Sequence, residues 1–267
     1  MKSSLKSSLK LSDSHCHLHM LEWDKLETNL EGVIEAAEQN GIQHMLCVGT
    51  LIEDLSTILE ITNRYPHIYA SVGLHPNEAT EREPEAKEIA ALASAAKVVA
   101  IGETGLDYYR SEGDLKWQQD RFRTHIEAAR MSQKPLIIHT RQARQDTIQI
   151  LKECRASEIG GVFHCFTEDW ETAKQALDLG FYISFSGIIT FKNAHEIQEV
   201  AKKLPLSSIL IETDCPYLAP VPHRGKTNQP SYVKYVAEYL AHLKNLPLEE
   251  VAHQTTQNFE KLFLSRL

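Results

Sequence analysis

The sequence lacks any run of apolar residues near the ~18 that a membrane-crossing helix needs, so no membrane span is expected. It lacks a CxxC pair, and its five cysteines are odd in number. A disulfide framework is excluded on that pattern, and a reducing, cytoplasmic compartment is expected. The opening stretch, MKSSLKSSLK, repeats KSSL and carries lysines but no continuous apolar segment. It does not read as a secretory signal, and is expected to be a frayed terminus leading into a first strand. Positive charge is also scarce: the net charge is −8. A protein that grips a long duplex by neutralising many phosphates is usually basic. The acidic balance argues against broad duplex binding, though not against an enzyme that meets phosphate with bound ions and a few local cations. No linker stands out, and no repeat is long enough for a second domain. The 267 residues suit one large α/β domain over positions 1–267, with no obligate protein partner called for.

What is present is alternation. Short apolar runs rich in β-branched residues centre on Leu11 to His17, Met45 to Gly49, Ile68 to Leu74 and Val98 to Glu103. Four more span Pro135 to His139, Gly161 to Phe166, Phe181 to Ser186 and Ser208 to Asp214. Stretches with helical spacing lie between them: Asp24 to Asn40, Glu85 to Ala96, Asp114 to Ser132, Arg144 to Cys154, Asp169 to Leu179 and Asn193 to Lys203. Gly41 and Gly180 stand where helix C-caps are expected. Strict alternation requires parallel strands joined by helical crossovers. Eight such units predict an α/β fold of the (β/α)8 TIM-barrel type; an open, doubly wound sheet has the same pattern. The tail, Pro230 to Leu267, reads as additional C-terminal helices. Trp117, Phe122 and Ile126 at helical spacing read as core.

The local chemistry begins at Asp13-Ser14-His15-Cys16-His17. Residues i and i+2 share a strand face, so His15 and His17 can point both imidazoles at one metal ion. Glu103 ends the fourth run, His139 the fifth, His164 falls in the sixth and Asp214 ends the eighth. Each lies toward a strand's carboxyl end, where barrel sites are assembled. Four imidazoles and two carboxylates exceed the usual three protein ligands of one open zinc site. They suit two divalent ions sharing a bridging carboxylate, as in hydrolases whose ions sit about 3.5–4 Å apart. Zn, Mn, Co or Ni fit such ligands, while Mg favours oxygen. Asp13 and Glu212 share faces with His15 and Asp214, one pleat deeper, and are expected to orient imidazoles. Cys16, Cys165 and Cys215 adjoin these positions and are expected to face the surrounding helices. His19, His44, His67, His125, His195, His242 and His253 have no strand-end placement to recommend them.

HCHL near the start, GLHP at Gly73 to Pro76, GETGLDYY from Gly102, HTR at His139, FHCF at Phe163, ETDCPYLAP from Glu212 and PHRGKTNQP from Pro222 occur in one order along nearly the whole chain. In this the sequence resembles the TatD family of metal-dependent deoxyribonucleases, within the amidohydrolase-like barrel superfamily. Thr104 departs from the family's GEIGLD pattern, at a position expected to point away from the site. The resemblance implies that His15, His17 and Asp214 hold one ion, His139 and His164 the second, and that Glu103 bridges. It also implies that His75 contacts substrate phosphate; a capping or orienting role is the alternative. Arg141, Arg144, Arg224 and Lys226, with His223 beside them, are basic residues after the fifth and eighth strands that could touch phosphate. Tyr108 or Tyr109 could stack on a base or pack into the core.

The resemblance implies hydrolysis of phosphodiester bonds in DNA, with 3′-to-5′ trimming of single strands or frayed ends and a place in DNA repair. Asp214, as ligand and hydrogen-bond acceptor, is expected to be the general base, with Glu103 beside it. The alternatives are an amidohydrolase-type enzyme, another ester hydrolase such as one deacylating aminoacyl-tRNA, and a non-catalytic binding protein. Amidohydrolases often bridge their metals with a modified Lys where this chain has Glu103.

Overall fold

The computed structural model describes residues 9–265; most of the lysine-bearing N-terminal stretch and the last two residues of the tail lie outside them. Eight parallel strands run in sequence order around a (β/α)8 TIM barrel. They are β1 (Leu11–Cys16), β2 (Ile42–Cys47), β3 (Ile68–Val72), β4 (Val98–Asp107), β5 (Leu136–Arg141), β6 (Gly161–Phe163), β7 (Phe181–Phe185) and β8 (Ile209–Ile211). The crossover helices are α1 (Trp23–Leu26), α2 (Leu30–Gln39), α3 (Asp54–Arg64), α4 (Ala86–Leu92), α5 (Lys116–Ser132), α6 (Arg144–Glu153), α7 (Trp170–Asp178) and α8 (His195–Lys203). The tail folds as α9 (Val233–Lys244) and α10 (Leu248–Phe259). Among the described residues no helix is long and apolar enough to cross a membrane.

Three differences from the sequence reading have local causes. The stretch from Asp24 divides in two, because Glu27 turns left-handed and the Asn29 side chain caps α2 by accepting the Gly32 N–H. Helix α3, not anticipated, buries Leu55, Ile58, Ile61 and Thr62 on one face of a mostly polar stretch. Trp117 is 40% exposed beneath the Arg121 guanidinium, whereas Phe122 and Ile126 are buried as expected. Gly41 and Gly180 have φ of 89° and 79°, the left-handed conformation that a residue just past a helix needs.

Side chains form two apolar layers. The larger lies between strands and helices. The smaller fills the barrel interior with Leu46, Val48, Ala100, Ile137, Val162 and Leu210, joined by Phe259 and Phe263 from the tail. Asn258 bonds the carbonyls of Leu206 and Ile209, and Thr256 that of Lys10, so the tail packs where β8 and β1 begin. This end is closed by apolar packing, and the polar work falls to the other end. Strand parity delivers it. Ile137, Val162 and Leu210 point inward, so His139, His164 and Glu212, each two residues on, project into the barrel at its carboxyl rim.

Candidate metal centre

The rim is knit where β8 meets β1. The Asp214 N–H donates to the His15 carbonyl at 2.8 Å, and the His17 N–H to the Cys215 carbonyl at 2.8 Å. Asp214 itself lies just past β8 with φ of 57°, a left-handed conformation that Asp tolerates better than most residues. Gly105 shows why its motif needs glycine: with φ of 139°, an added Cβ would lie 1.9 Å from the His139 carbonyl oxygen.

These constraints gather all six predicted ligand residues at one point. Glu103 lies between them. Its Oε1 is 2.7 Å from His164 Nε2 and 2.9 Å from His139 Nδ1. Its Oε2 is 3.3 Å from His15 Nε2 and 3.9 Å from His17 Nε2. Asp214 Oδ1 is 3.3 Å from His17 Nε2 and 3.6 Å from His15 Nε2, and those two nitrogens are 3.2 Å apart. Ligands about 2.1 Å from a common ion lie roughly 3.0–3.4 Å from one another. The contacts of His15 Nε2 with His17 Nε2 (3.2 Å) and Glu103 Oε2 (3.3 Å), and of His17 Nε2 with Asp214 Oδ1 (3.3 Å), have that spacing, while the two Glu103 Oε1 contacts are hydrogen-bond lengths.

The tautomers fit as well. His17 Nδ1 donates to the Val48 carbonyl at 2.7 Å, which leaves a lone pair on Nε2 facing the cluster. His164 Nδ1–H points at Glu212 Oε1, 3.3 Å away, again freeing Nε2. His139 is reversed: Nε2–H faces Asp107 Oδ2 at 3.2 Å, and Nδ1 faces Glu103. His15 Nδ1 is buried and has no hydrogen-bond partner among the described residues. His75 differs from all four. Its Nδ1 accepts the Asn77 N–H at 3.1 Å, so the neutral ring carries its proton on Nε2, 3.4 Å from Glu103 Oε1. Burial pushes its pKa down to about 4. His75 therefore offers this cluster a neutral N–H donor, not a lone pair.

The charges are strongly coupled. Burial pushes the imidazoles of His17, His139 and His164 down. The carboxylates outweigh it, namely Asp214 for His17, Asp107 and Glu103 for His139, and Glu103 for His164; all three stand above the ordinary value. His15 is pushed down by burial and by His164. Burial would raise Glu103 and Asp214, but the surrounding imidazoles hold both below the usual carboxylate range. A raised imidazole stabilises the fold fully below its unfolded value, ~6.5, and loses that contribution as pH rises through the folded value. The Tm of metal-free protein is therefore expected to decline as pH rises above ~6.5, while divalent ions in place of those protons preserve it. The gap in Tm between loaded and stripped protein, measured by calorimetry from pH 6 to 9, should widen with pH. A narrowing gap would count against this charge arrangement.

Other expectations fare differently. Glu212 bonds the His164 ring and accepts the Cys165 N–H at 2.7 Å. Asp13 touches no imidazole: it accepts the His15 and Thr213 N–H groups and the Thr213 hydroxyl, so it binds β1 to the chain before Asp214. Cys165 lines the cleft over the cluster, because it takes a left-handed φ of 43° just past β6 and alternation breaks there. Cys16 and Cys215 are buried. Thr104 is buried with its hydroxyl unpartnered. Tyr108 is committed elsewhere: its hydroxyl donates to Asp146 at 2.7 Å and accepts from Gln119. The exposed ring on that rim is Tyr109, with the Arg141 guanidinium 3.8 Å over it. Arg141 lines the cleft; Arg224 instead stacks 3.6 Å over Phe191, outside the cleft lining. Arg144 is paired with Asp169, and His223 stacks on Tyr232.

The residue that sequence reading missed is Asp107. Besides holding His139 it accepts from the Asn77 side chain and from the Tyr109 and Arg110 N–H groups. Its signal was present, four residues beyond Glu103 on the same strand. Arg110 and Tyr217, also in the cleft, were passed over.

The TatD related DNase family matches residues 12–264. Over 254 residues the chain is 46% identical to YcfH of Escherichia coli strain K12, an uncharacterized metal-dependent hydrolase, with 95% of each chain covered. It is 44% identical over 254 residues to YabD of Bacillus subtilis strain 168, likewise an uncharacterized metal-dependent hydrolase, covering 95% of this chain and 98% of YabD. The crystal structure of YJJV, a TatD homolog from Escherichia coli K12, superposes with a TM-score of 0.87 at 28% identity, over 95% of this chain and 98% of that one. With the match running through both the barrel and its rim, the chain belongs to the TatD family of metal-dependent hydrolases.

Proposed function

We propose that this hydrolase cleaves phosphodiester bonds in DNA, trimming single-stranded or frayed 3′ ends in the cytoplasm, with two divalent ions and Asp214 as general base. The observation that carries this reading is the six-residue cluster, of which all but the buried His15 line the floor of a cleft of about 600 Å³ whose walls include Arg110 and Arg141. His15, His17 and Asp214 would hold one ion, His139 and His164 the other, with Glu103 reaching both. Bound there, the ions would acidify water and neutralise charge on the phosphoryl oxygens.

The chain's own residues supply the rest. Asp214, ionised and at the cleft floor, takes a proton from water. The His75 Nε2–H donates to a phosphoryl oxygen, and its low pKa keeps it neutral at physiological pH. Arg141, which lines the same cleft, offers a fixed cation. The net charge of −8 disfavours a long duplex and suits a terminus entering a cleft.

The test is digestion of end-labelled single- and double-stranded oligonucleotides with different divalent ions, before and after chelation. Chelation is expected to abolish hydrolysis while far-UV circular dichroism stays close to that of the loaded protein. The apolar layers that hold the barrel do not use the cluster, unlike the core of a small zinc domain. Full activity in stripped protein would overturn the proposal, as would hydrolysis of carboxyl esters or amides with none of DNA.

A further inference from the structure

The cleft is chemically divided, and the division follows the barrel order. The connections after β1, β7 and β8 are adjacent around the rim, and they contribute Met20, Ile188, Tyr217 and Leu218. The elements on the other side, β4 and β5, contribute Arg110 and Arg141. One wall is thus largely apolar, whereas the other is polar and carries both cations beside the carboxylates of Glu78 and Asp107, with the carboxylate–imidazole cluster on the floor between them.

Tyr217 dominates the apolar wall. It is 51% exposed, and its ring lies 6.5 Å from the His17 ring. Its backbone is held firmly. The N–H donates to the Asp214 carbonyl at 3.0 Å, and the carbonyl accepts from the Asn228 side chain at 2.6 Å. The next residue, Leu218, has φ of 57°. The hydroxyl makes no hydrogen bond among the described residues, and the edge contact with His17 leaves half of the ring open to the cleft. Large aromatic surface left open at a reaction cleft is suited to stacking on a planar, apolar face.

We infer that Tyr217, flanked by Met20, Ile188 and Leu218, forms a subsite for the nucleobase of the nucleotide at the scissile bond. This deepens, and rests on, the reading of the site as one for DNA ends. A nucleotide has the same division as the cleft. Its base is flat and weakly polar, and its phosphates are anionic. With the base on the Tyr217 wall, the phosphate at the floor and the adjoining phosphate toward Arg141, each part meets complementary chemistry. No side chain on the apolar wall offers a base-specific pattern of donors and acceptors, so the subsite should accept all four bases.

The test compares oligonucleotides ending in a normal nucleotide or in an abasic tetrahydrofuran residue. Base stacking on one aromatic ring corresponds to roughly a 5- to 150-fold effect. Wild-type enzyme is expected to prefer the normal end by that factor, mainly through KM. Tyr217→Ala should erase the preference, and Tyr217→Phe should keep it. Equilibrium binding of dAMP and of deoxyribose 5-phosphate to the metal-loaded protein gives a readout independent of turnover, with the same expected ranking and the same response to the two variants. Equal treatment of both ends by wild-type enzyme, or a preference that survives Tyr217→Ala, would overturn the subsite. Failure to cleave either DNA would sink the proposed function instead, and dAMP binding lost in Tyr217→Ala but kept in Tyr217→Phe would still establish the subsite.

Discussion

Asp214→Asn is expected to lower turnover by at least ~10²-fold, and up to ~10⁴-fold, with little change in fold. Asparagine matches aspartate in shape and keeps one carbonyl oxygen. It can still accept its position past β8, where the backbone is left-handed and the N–H is bonded to His15, because Asn tolerates that conformation. What disappears is the negative charge facing His15 and His17 and the capacity to take a proton. Because Asp214 is proposed both as ligand and as base, kinetics must be paired with metal content. A variant that retains both ions and loses turnover identifies the base. A variant that loses ions along with turnover assigns ligation alone. A near-normal rate with both ions bound would remove Asp214 from the chemistry.

Glu103→Gln is expected to be at least as damaging, through a different property. Glu103 is the one side chain whose two oxygens face the two halves of the cluster, His139 and His164 on one side and His15 on the other. Glutamine fills the same volume but replaces one oxygen with an NH₂ group. Whichever way the amide turns, a donor faces imidazole nitrogens that should present lone pairs. One half of the cluster keeps an oxygen and the other loses it. On the proposed two-ion reading, metal content should fall from two ions per chain toward one, and turnover by at least ~10²–10³-fold, the scale of removing one fixed electrostatic contact from a transition state. With Glu103 neutral, His164 also loses the largest influence that keeps it above the ordinary imidazole value, and its pKa should drop when followed by NMR in the stripped variant. Two ions retained at full occupancy would exclude a bridging role.

Much of this molecule was legible before it was folded, because barrel strands have a period of two and a fixed polarity. An apolar run that ends in His, Glu or Asp declares which end of the strand is polar, and parity declares which of those residues face inward. That logic placed His15, His17, His139, His164 and Asp214 together, and it extends to Asp107, which it should have included. Periodicity failed where the backbone leaves the regular strand. Cys165, past the end of β6, takes a left-handed φ of 43°, so it turns into the cleft instead of toward the helices. Tyr108 and Tyr109 are neighbours whose fates diverge only because Asp146 and Gln119, on other elements, bind the hydroxyl of one. Arg141 and Arg224 look equivalent as motif cations, yet one lines the cleft and the other lies on Phe191. Asp13 shares the face of His15 but finds its partners 200 residues away in Thr213.

The sequence by itself therefore determined the layers, the polarity of the barrel and the ligand types, since these depend on local spacing and on which side chains can leave water. Only the tertiary structure decided which ring nitrogen of His17, His139, His164 and His75 faces the cluster, the neutrality of His75 and the division of the cleft into an apolar wall and a polar one. Those properties depend on hydrogen bonds and burial contributed by residues distant in the chain, and no local pattern encodes them.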